Sequence, residues 1–448
     1  MESAAAGRPG DIRGRWRNLL QNLAFVPGVI VVAFVLAGIV LVEVDNHVDL
    51  DGVRYVFQGD ASAARTVLQV IAGSLITVAG LTFSITMVVL QLASSQFSPR
   101  ILRTFFGDRV TQITIGVYVG TFAYALLVLR ETGSFGGGDF VPRLSVTLAS
   151  LLGLVAVGLL IVFLNHVAQM VQVSHVMADI AHQTLKRTDT LFPAGYGSAE
   201  PEDPDRLLER WRREPSGLIH ARRPGFVQRV ELDAIADALA GRAAHAAVLV
   251  CPGDFASVDT AIVEVWPAEA ADPCRSALEG AVLVASERDL DQDVGFGLRQ
   301  LADTALRAVS PGINDPATAV TCIGYLRSIL TRLAQRDLPP AVRHFPDRDV
   351  TLLVRRHEYA EYLESLLQID RYVEHDAWVA GELLGALEAC ARAARGCGAH
   401  DRLEAIVAAG HVVADRALEQ ADAHDRRRLA GAAAWLGDHS STPSRSAF

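Results

Sequence analysis

The sequence predicts a membrane α-helical protein, with four transmembrane helices plus a cytoplasmic α+β region made of a small β-rich module and a helical C-terminal domain. Three observations carry this. Half of the 448 residues are apolar, and mean hydropathy is positive at +0.26. Four apolar runs of membrane length (23–42, 67–93, 113–129 and 144–164) fall before residue 166 and none follows. Beyond about residue 190, short strand-like runs give way to helical periodicity. The expected division is a cytoplasmic segment 1–22, a four-span domain 23–166, a helical extension 167–190, a linker 191–215, a β-rich module 216–290, a helical domain 291–438 and a disordered tail 439–448.

Arg8, Arg13, Arg15 and Arg17 flank the first run, which has no small-x-small cleavage site, so it reads as an uncleaved first span. Positive residues recur after span two (Arg100, Arg103, Arg109) and after span four (Lys186, Arg187). The positive-inside bias then puts both termini in the cytoplasm of a bacterial inner membrane. The loop after span one is acidic, with Glu43, Asp45, Asp49, Asp51 and Asp60.

Span two is an apolar helix with one polar face. At 3.6 residues per turn Gly73, Thr77, Gly80, Ser84, Met87, Gln91, Ser94 and Ser95 fall within an arc of roughly 100°, whereas Leu75, Ala79, Val89 and Leu90 point away. Polar groups in lipid need a partner or water, and small residues admit a close helix. Thr77, Ser84, Gln91 and Ser95 are therefore candidate pore-lining residues, Gly73 and Gly80 helix-packing residues, and Arg100 and Arg103 the inner mouth. Packing against a neighbouring helix explains the same arc. Thr82 and Thr86 lie off it and are expected to bond the carbonyl one turn back. After span two, Ser98 and Pro99 begin a short segment (Ile101, Leu102, Phe105, Phe106 against the arginines) that suits either an interfacial helix or a basic loop.

Gly116 and Gly120 in span three have helix-packing spacing. Span four continues with Val167, Met170, Val173, Met177 and Ile180 at helical spacing, which predicts one helix from 144 to 186, roughly 65 Å at 1.5 Å per residue. On that extension His175, Asp179 and His182 share a face and could ligate a divalent metal, but a solvated polar face opposite Val173, Met177 and Ile180 explains the same residues and is the favoured reading.

The soluble part begins with a stretch rich in Pro, Gly, Asp and Arg. Strand-like runs at 218–221, 226–231, 247–251, 261–266 and 280–285, with a helix at 232–240, suggest a small open barrel or sandwich. Helices are expected at 294–309, 317–334, 359–394, 402–421 and 425–435, with a strand-like DVTLLVRR before the third. In the SPGINDP loop, Asp315-Pro316 is a helix start.

A net charge of -10 and the lack of a basic stripe with interleaved aromatics exclude nucleic acid as the main partner. Five cysteines without a C-x-x-C pair fit reduced thiols. No P-loop, G-x-G-x-x-G, G-x-S-x-G or H-E-x-x-H pattern is present, so neither an enzyme nor a cofactor is expected.

The segments GSLITVAGLTFSITMVVLQLASSQFSPRIL, PGDF and QDVGFGLRQLADTALRAVSPGINDPATAV resemble a bacterial family of predicted membrane proteins of unknown function (domain of unknown function 2254) over nearly the whole chain. That resemblance implies amino-terminal spans and a soluble cytoplasmic part, and brings no catalytic residues with it.

The expected function is an ion channel, a homo-oligomer in the lipid bilayer with one copy of span two from each subunit around the axis, since one such helix cannot enclose a pore. The alternative is a non-conducting scaffold or sensor whose soluble part binds a ligand or partner. A metal-dependent enzyme using His175, Asp179 and His182 is the third.

Overall fold

The computed structural model describes residues 24–48, 56–96, 108–132, 140–170, 172–192, 202–242, 244–373 and 376–439. The expected interfacial segment after span two, the arginines at its mouth, the segment 1–22 and the tail from 440 lie outside them. The chain divides into two compact units, Met1–His175 and Val176–Phe448.

Among the described residues, four helices of the first unit are long and apolar enough to cross a membrane: α1 (Phe25–His47), α2 (Ala61–Gln96), α3 (Arg109–Glu131) and α4 (Arg143–Met170). The least apolar of them, α3, is the most buried, and α1, the most apolar, the least. Lipid solvates apolar side chains without cost, so the polar span is the one the others sheathe. Thr111, Gln112, Thr114, Tyr118, Thr121 and Tyr124 of α3 are all buried. Its glycines let α1 in: a Cβ at Gly116 would lie 2.8 Å from Ile30 Cδ1 and 3.0 Å from Pro27 Cα, and one at Gly120 would lie 3.0 Å from Phe34 Cδ2. Elsewhere Leu68, Ala72, Ala125, Val128 and Ala149 form one cluster between α2, α3 and α4.

Polar clamps close both ends of the bundle. At one, Asp45 accepts from Leu144 N (2.9 Å), Ser145 N (2.9 Å) and Ser145 Oγ (2.7 Å), so a carboxylate from α1 caps the amino end of α4. Arg65 donates to Thr132 O through Nε (3.0 Å) and Nη2 (2.8 Å), and Arg143 Nη1 to Phe57 O (2.9 Å). At the other end Asp108 caps α3 by accepting from Thr111 N (2.8 Å) and lies 2.8 Å from His166 Nε2 on α4. Asp45→Ala is expected to cost about 1–2 kcal/mol, the value of a helix cap with its dipole interaction. Thermal unfolding of the detergent-solubilised protein should show it as a lower midpoint, with Asp45→Asn recovering part.

The single helix expected over 144–186 is two helices. α4 ends at Met170 and α5 runs Val173–Leu191. Between them Gln172 N and His175 N each bond, at 3.1 Å, a carbonyl three residues back (Gln169 O and Gln172 O). Four β-branched valines at 167, 171, 173 and 176 weaken helix over this stretch.

The second unit contains α5 from Val176 on, then α6 (Pro204–Trp211), β1 (Gly217–His220), β2 (Gly225–Val230), α7 (Leu232–Leu239), β3 (His245–Val248), β4 (Phe255–Ala256), β5 (Ala261–Trp266), α8 (Ala271–Ala281) and β6 (Val282–Ala285). It continues with α9 (Val294–Ala308), α10 (Pro316–Ala334), β7 (Val342–Phe345), β8 (Val350–Val354), α11 (Tyr359–Asp370), α12 (Ala377–Gly396), α13 (His400–Gln420) and α14 (Ala423–Ala432). The expected barrel or sandwich is instead a five-stranded sheet, order β1-β5-β3-β8-β7, and a three-stranded sheet, order β4-β2-β6. Helices α7 and α8 complete their core, with Ile235, Leu239, Cys274 and Leu278 packed among Ile219, Val227, Val248 and Leu352. β3 pairs in parallel with β8, so strands on either side of residue 290 share one sheet. The stretch 191–215 holds α6, whose Leu207 and Trp211 pack on Ala247, Trp266 and Val342.

The single helix expected at 359–394 is also two, because Asp376 accepts from Trp378 N (3.0 Å) and Val379 N (3.1 Å) and so caps a new start at α12.

Candidate functional site

In the first unit the polar face of α2 turns away from its own bundle. Ala64, Leu68, Ala72, Leu75, Ala79, Thr82 and Val89 are buried against the other spans, whereas Gly73, Thr77, Gly80, Ser84, Met87 and Gln91 are exposed. A Cβ at Gly73 or Gly80 would meet nothing within 4 Å. Thr77 Oγ1 bonds Gly73 O at 2.8 Å. Ser95 belongs to α2, its side chain lying outside the description together with Arg100 and Arg103. Thr86 bonds Thr82 O (2.8 Å) as expected, but the Thr82 hydroxyl does not bond back: it is buried without a partner.

His175, Asp179 and His182 are exposed on α5, where Asp179 Oδ2 accepts from Gln183 Nε2 (2.8 Å). Among the described residues no group of three His, Cys, Asp or Glu could hold a metal. In the SPGINDP loop Asp315 Oδ1 accepts from Thr318 N (3.1 Å) and Oδ2 from Thr318 Oγ1 (2.6 Å), which holds its carboxyl below the usual range and caps α10.

The second unit brings the PGDF and QDVGFG motifs to one junction, which spacing alone did not reveal. Gly253, at φ +98°, sits where a Cβ would lie 2.6 Å from Asp293 Oδ2 and 2.8 Å from Arg288 Nη2, so both backbone and space require glycine. Asp293 is 3 % exposed. Its Oδ2 takes Arg288 Nε and Nη2, both at 2.7 Å, and its Oδ1 takes Phe296 N at 3.0 Å, capping α9. Burial pushes the Asp293 carboxyl up and the Arg288 guanidinium opposes it. On the other side of the turn Asp254 Oδ2 accepts from Cys251 N (2.8 Å) and Arg355 Nη1 (3.0 Å), while His357 lies between Glu361 Oε2 (2.8 Å) and Pro252 O (3.2 Å). Burial pushes the Cys251 thiol up to about 12, which leaves it a packing group and not a nucleophile.

The same junction grips α5. A Cβ at Gly297 would lie 2.0 Å from Thr184 Oγ1, so the two helices touch through a missing side chain. Arg187 Nη2 meets Asp291 Oδ1 at 2.8 Å, and Asp291 also faces Arg229 of β2 at 3.4 Å. Asp189 takes Arg332 of α10 (2.8 Å) and Arg336 just beyond that helix (2.6 Å). Pairing therefore fixes α5 to α9, α10 and β2. The usable sequence signal was the density of Gly and Asp within the two motifs.

Four apolar spans followed by a mixed unit of two small sheets and C-terminal helices define a multi-pass membrane protein. The chain belongs to the predicted membrane protein family DUF2254, whose model matches residues 21–389. Similar chains include an uncharacterized protein of Mycobacterium bovis and one of Mycobacterium tuberculosis, each 33% identical over 394 residues, spanning 85% of this chain and 73% of theirs. No solved structure matches.

Proposed function

We propose that the protein is an oligomeric pore of the bacterial inner membrane, lined by span two of each subunit, without enzymatic activity and with both termini and the second unit in the cytoplasm. The supporting observation is the exposure of Gly73, Thr77, Gly80, Ser84 and Gln91 on the side of α2 that its own bundle leaves uncovered. Facing lipid, the Ser84 hydroxyl and the Gln91 amide would pay a desolvation cost. Facing the same helix in other copies, the glycines permit close approach and the polar groups meet water. Arg100 and Arg103 then stand at the inner mouth, where their charge raises the local potential for anions, and α5 ties the second unit to the spans by covalent continuity.

The test is ion flux through purified protein in liposomes. Gln91→Leu is expected to change flux without altering the oligomer, and Gly80→Leu to abolish both flux and oligomer while the monomer stays folded. Unchanged flux in both variants removes span two from the lining. A non-conducting scaffold or sensor is the second reading, favoured by the Asp293 junction, which organises the second unit around α5. Absence of flux from a stable oligomer, across several ions, would select it.

A further inference from the structure

Helix α6 lies against the outer face of the five-stranded sheet, and its buried residues are Leu207 and Trp211. The Trp211 ring is stacked on His245 of β3, centroids 5.1 Å apart and planes within 5°, and tilts against Trp266 of β5 at 5.5 Å. His245 and Trp266 are cross-strand partners, so the three rings form one block. The charged side chains of α6 pair within their own segment, Arg206 with Asp203 at 3.4 Å and Arg210 with Glu202. The aromatic stack and Leu207 are therefore what seat α6 on the sheet. His245 Nδ1 and Trp266 Nε1 are buried without hydrogen-bond partners.

We propose that α6 is a proton-released strap, held closed over the sheet by neutral His245 and released when that imidazole takes a second proton. Protonation would place an N–H at the buried Nδ1, where no acceptor waits, and a cation on a partly buried ring. The indole faces favour a cation, but they lie against the ring plane and offer the new N–H no acceptor. Burial lowers the histidine below its ordinary value; Asp349, before β8, and Glu214, after α6, act to raise it, and Arg210 on α6 to lower it. The linkage has one sign. Above the ordinary histidine range both strap states are neutral and the strap is closed. As pH falls through that range the open state binds the proton first, and closure weakens until the lowered value of the closed state is passed. Lifting α6 uncovers Ala247, Trp266, Val342 and Leu353, an apolar sheet face that becomes available to a partner only in acid. The strap is independent of what span two lines.

Hydrogen–deuterium exchange of the α6 amides in the full-length protein tests this, each variant being compared with the parent at the same pH so that intrinsic rates cancel. His245→Phe keeps the stack and removes the titrating nitrogen. Parent and variant should exchange alike at about pH 8, and by about pH 5 the parent should exchange faster, by up to tenfold for each pH unit separating the two histidine values. Asp349→Asn removes a charge that raises the closed-state histidine, so it should widen the gap between the two values and make the α6 amides exchange faster than the parent's in acid. Equal protection of parent and His245→Phe in acid overturns the proposal. If His245→Phe fails to fold, Asp349→Asn decides alone, and exchange in acid no faster than the parent's overturns the proposal.

Discussion

Asp293→Ala should unfold much of the second unit, with an expected loss of about 3–5 kcal/mol, the cost of removing one partner from a buried ion pair. Three effects add. The Arg288 guanidinium, 2.7 Å from the lost carboxylate, is left beneath the PGD turn without its counter-charge. The amino end of α9 loses the acceptor for Phe296 N. The turn loses the floor on which Gly253 rests. Asp293→Asn keeps a carbonyl acceptor for the cap, and so should lose less. Chemical denaturation of the solubilised protein, followed by far-ultraviolet circular dichroism, measures both. A midpoint for Asp293→Ala within error of the parent would mean that the junction does not hold the unit together.

In the membrane unit the largest effect is expected at the contact of spans one and three. Gly116→Leu must place a branched side chain where even a Cβ comes within 3.0 Å of Pro27 backbone and 2.8 Å of Ile30. Overpacking of this kind costs about 1–3 kcal/mol in soluble cores and more where backbone cannot retreat. Loss of monodisperse protein on size exclusion is the expected outcome. Gly158→Leu on α4 is the control, because its Cβ has open space and it lies outside the proposed contact between copies. A stable Gly116→Leu protein would show that α1 can slide off α3.

The membrane half was legible because a bilayer imposes a length and a polarity that sequence displays directly. The four runs became four helices, and the separation of Leu75, Ala79 and Val89 from the Gly73–Gln91 face followed from helical geometry alone. The second unit was harder for specific reasons. The helix Ala271–Ala281 carries its buried residues at 271, 274, 278 and 281, a helical spacing, yet Pro273 and Gly280 mask it. The ends at Met170 and Asp370 are not marked by proline or glycine. β8 finds β3 through a long-range pairing that no local pattern encodes. The junction was missed because its members, Gly253, Arg288, Asp293 and Arg355, are brought together by that topology.

The parallel pairing of Ala246 with Leu352 also sets an order of events during synthesis. When β3 emerges from the ribosome its neighbour has not been made, and at ordinary elongation rates it waits about 5–20 s for β8. Through that interval β3, from Ala246 to Val248, presents an unfinished sheet margin, while the four spans, made earlier, are already available for insertion. A nascent chain stalled before residue 342 would therefore expose a templating edge open to aggregation and to chaperone capture.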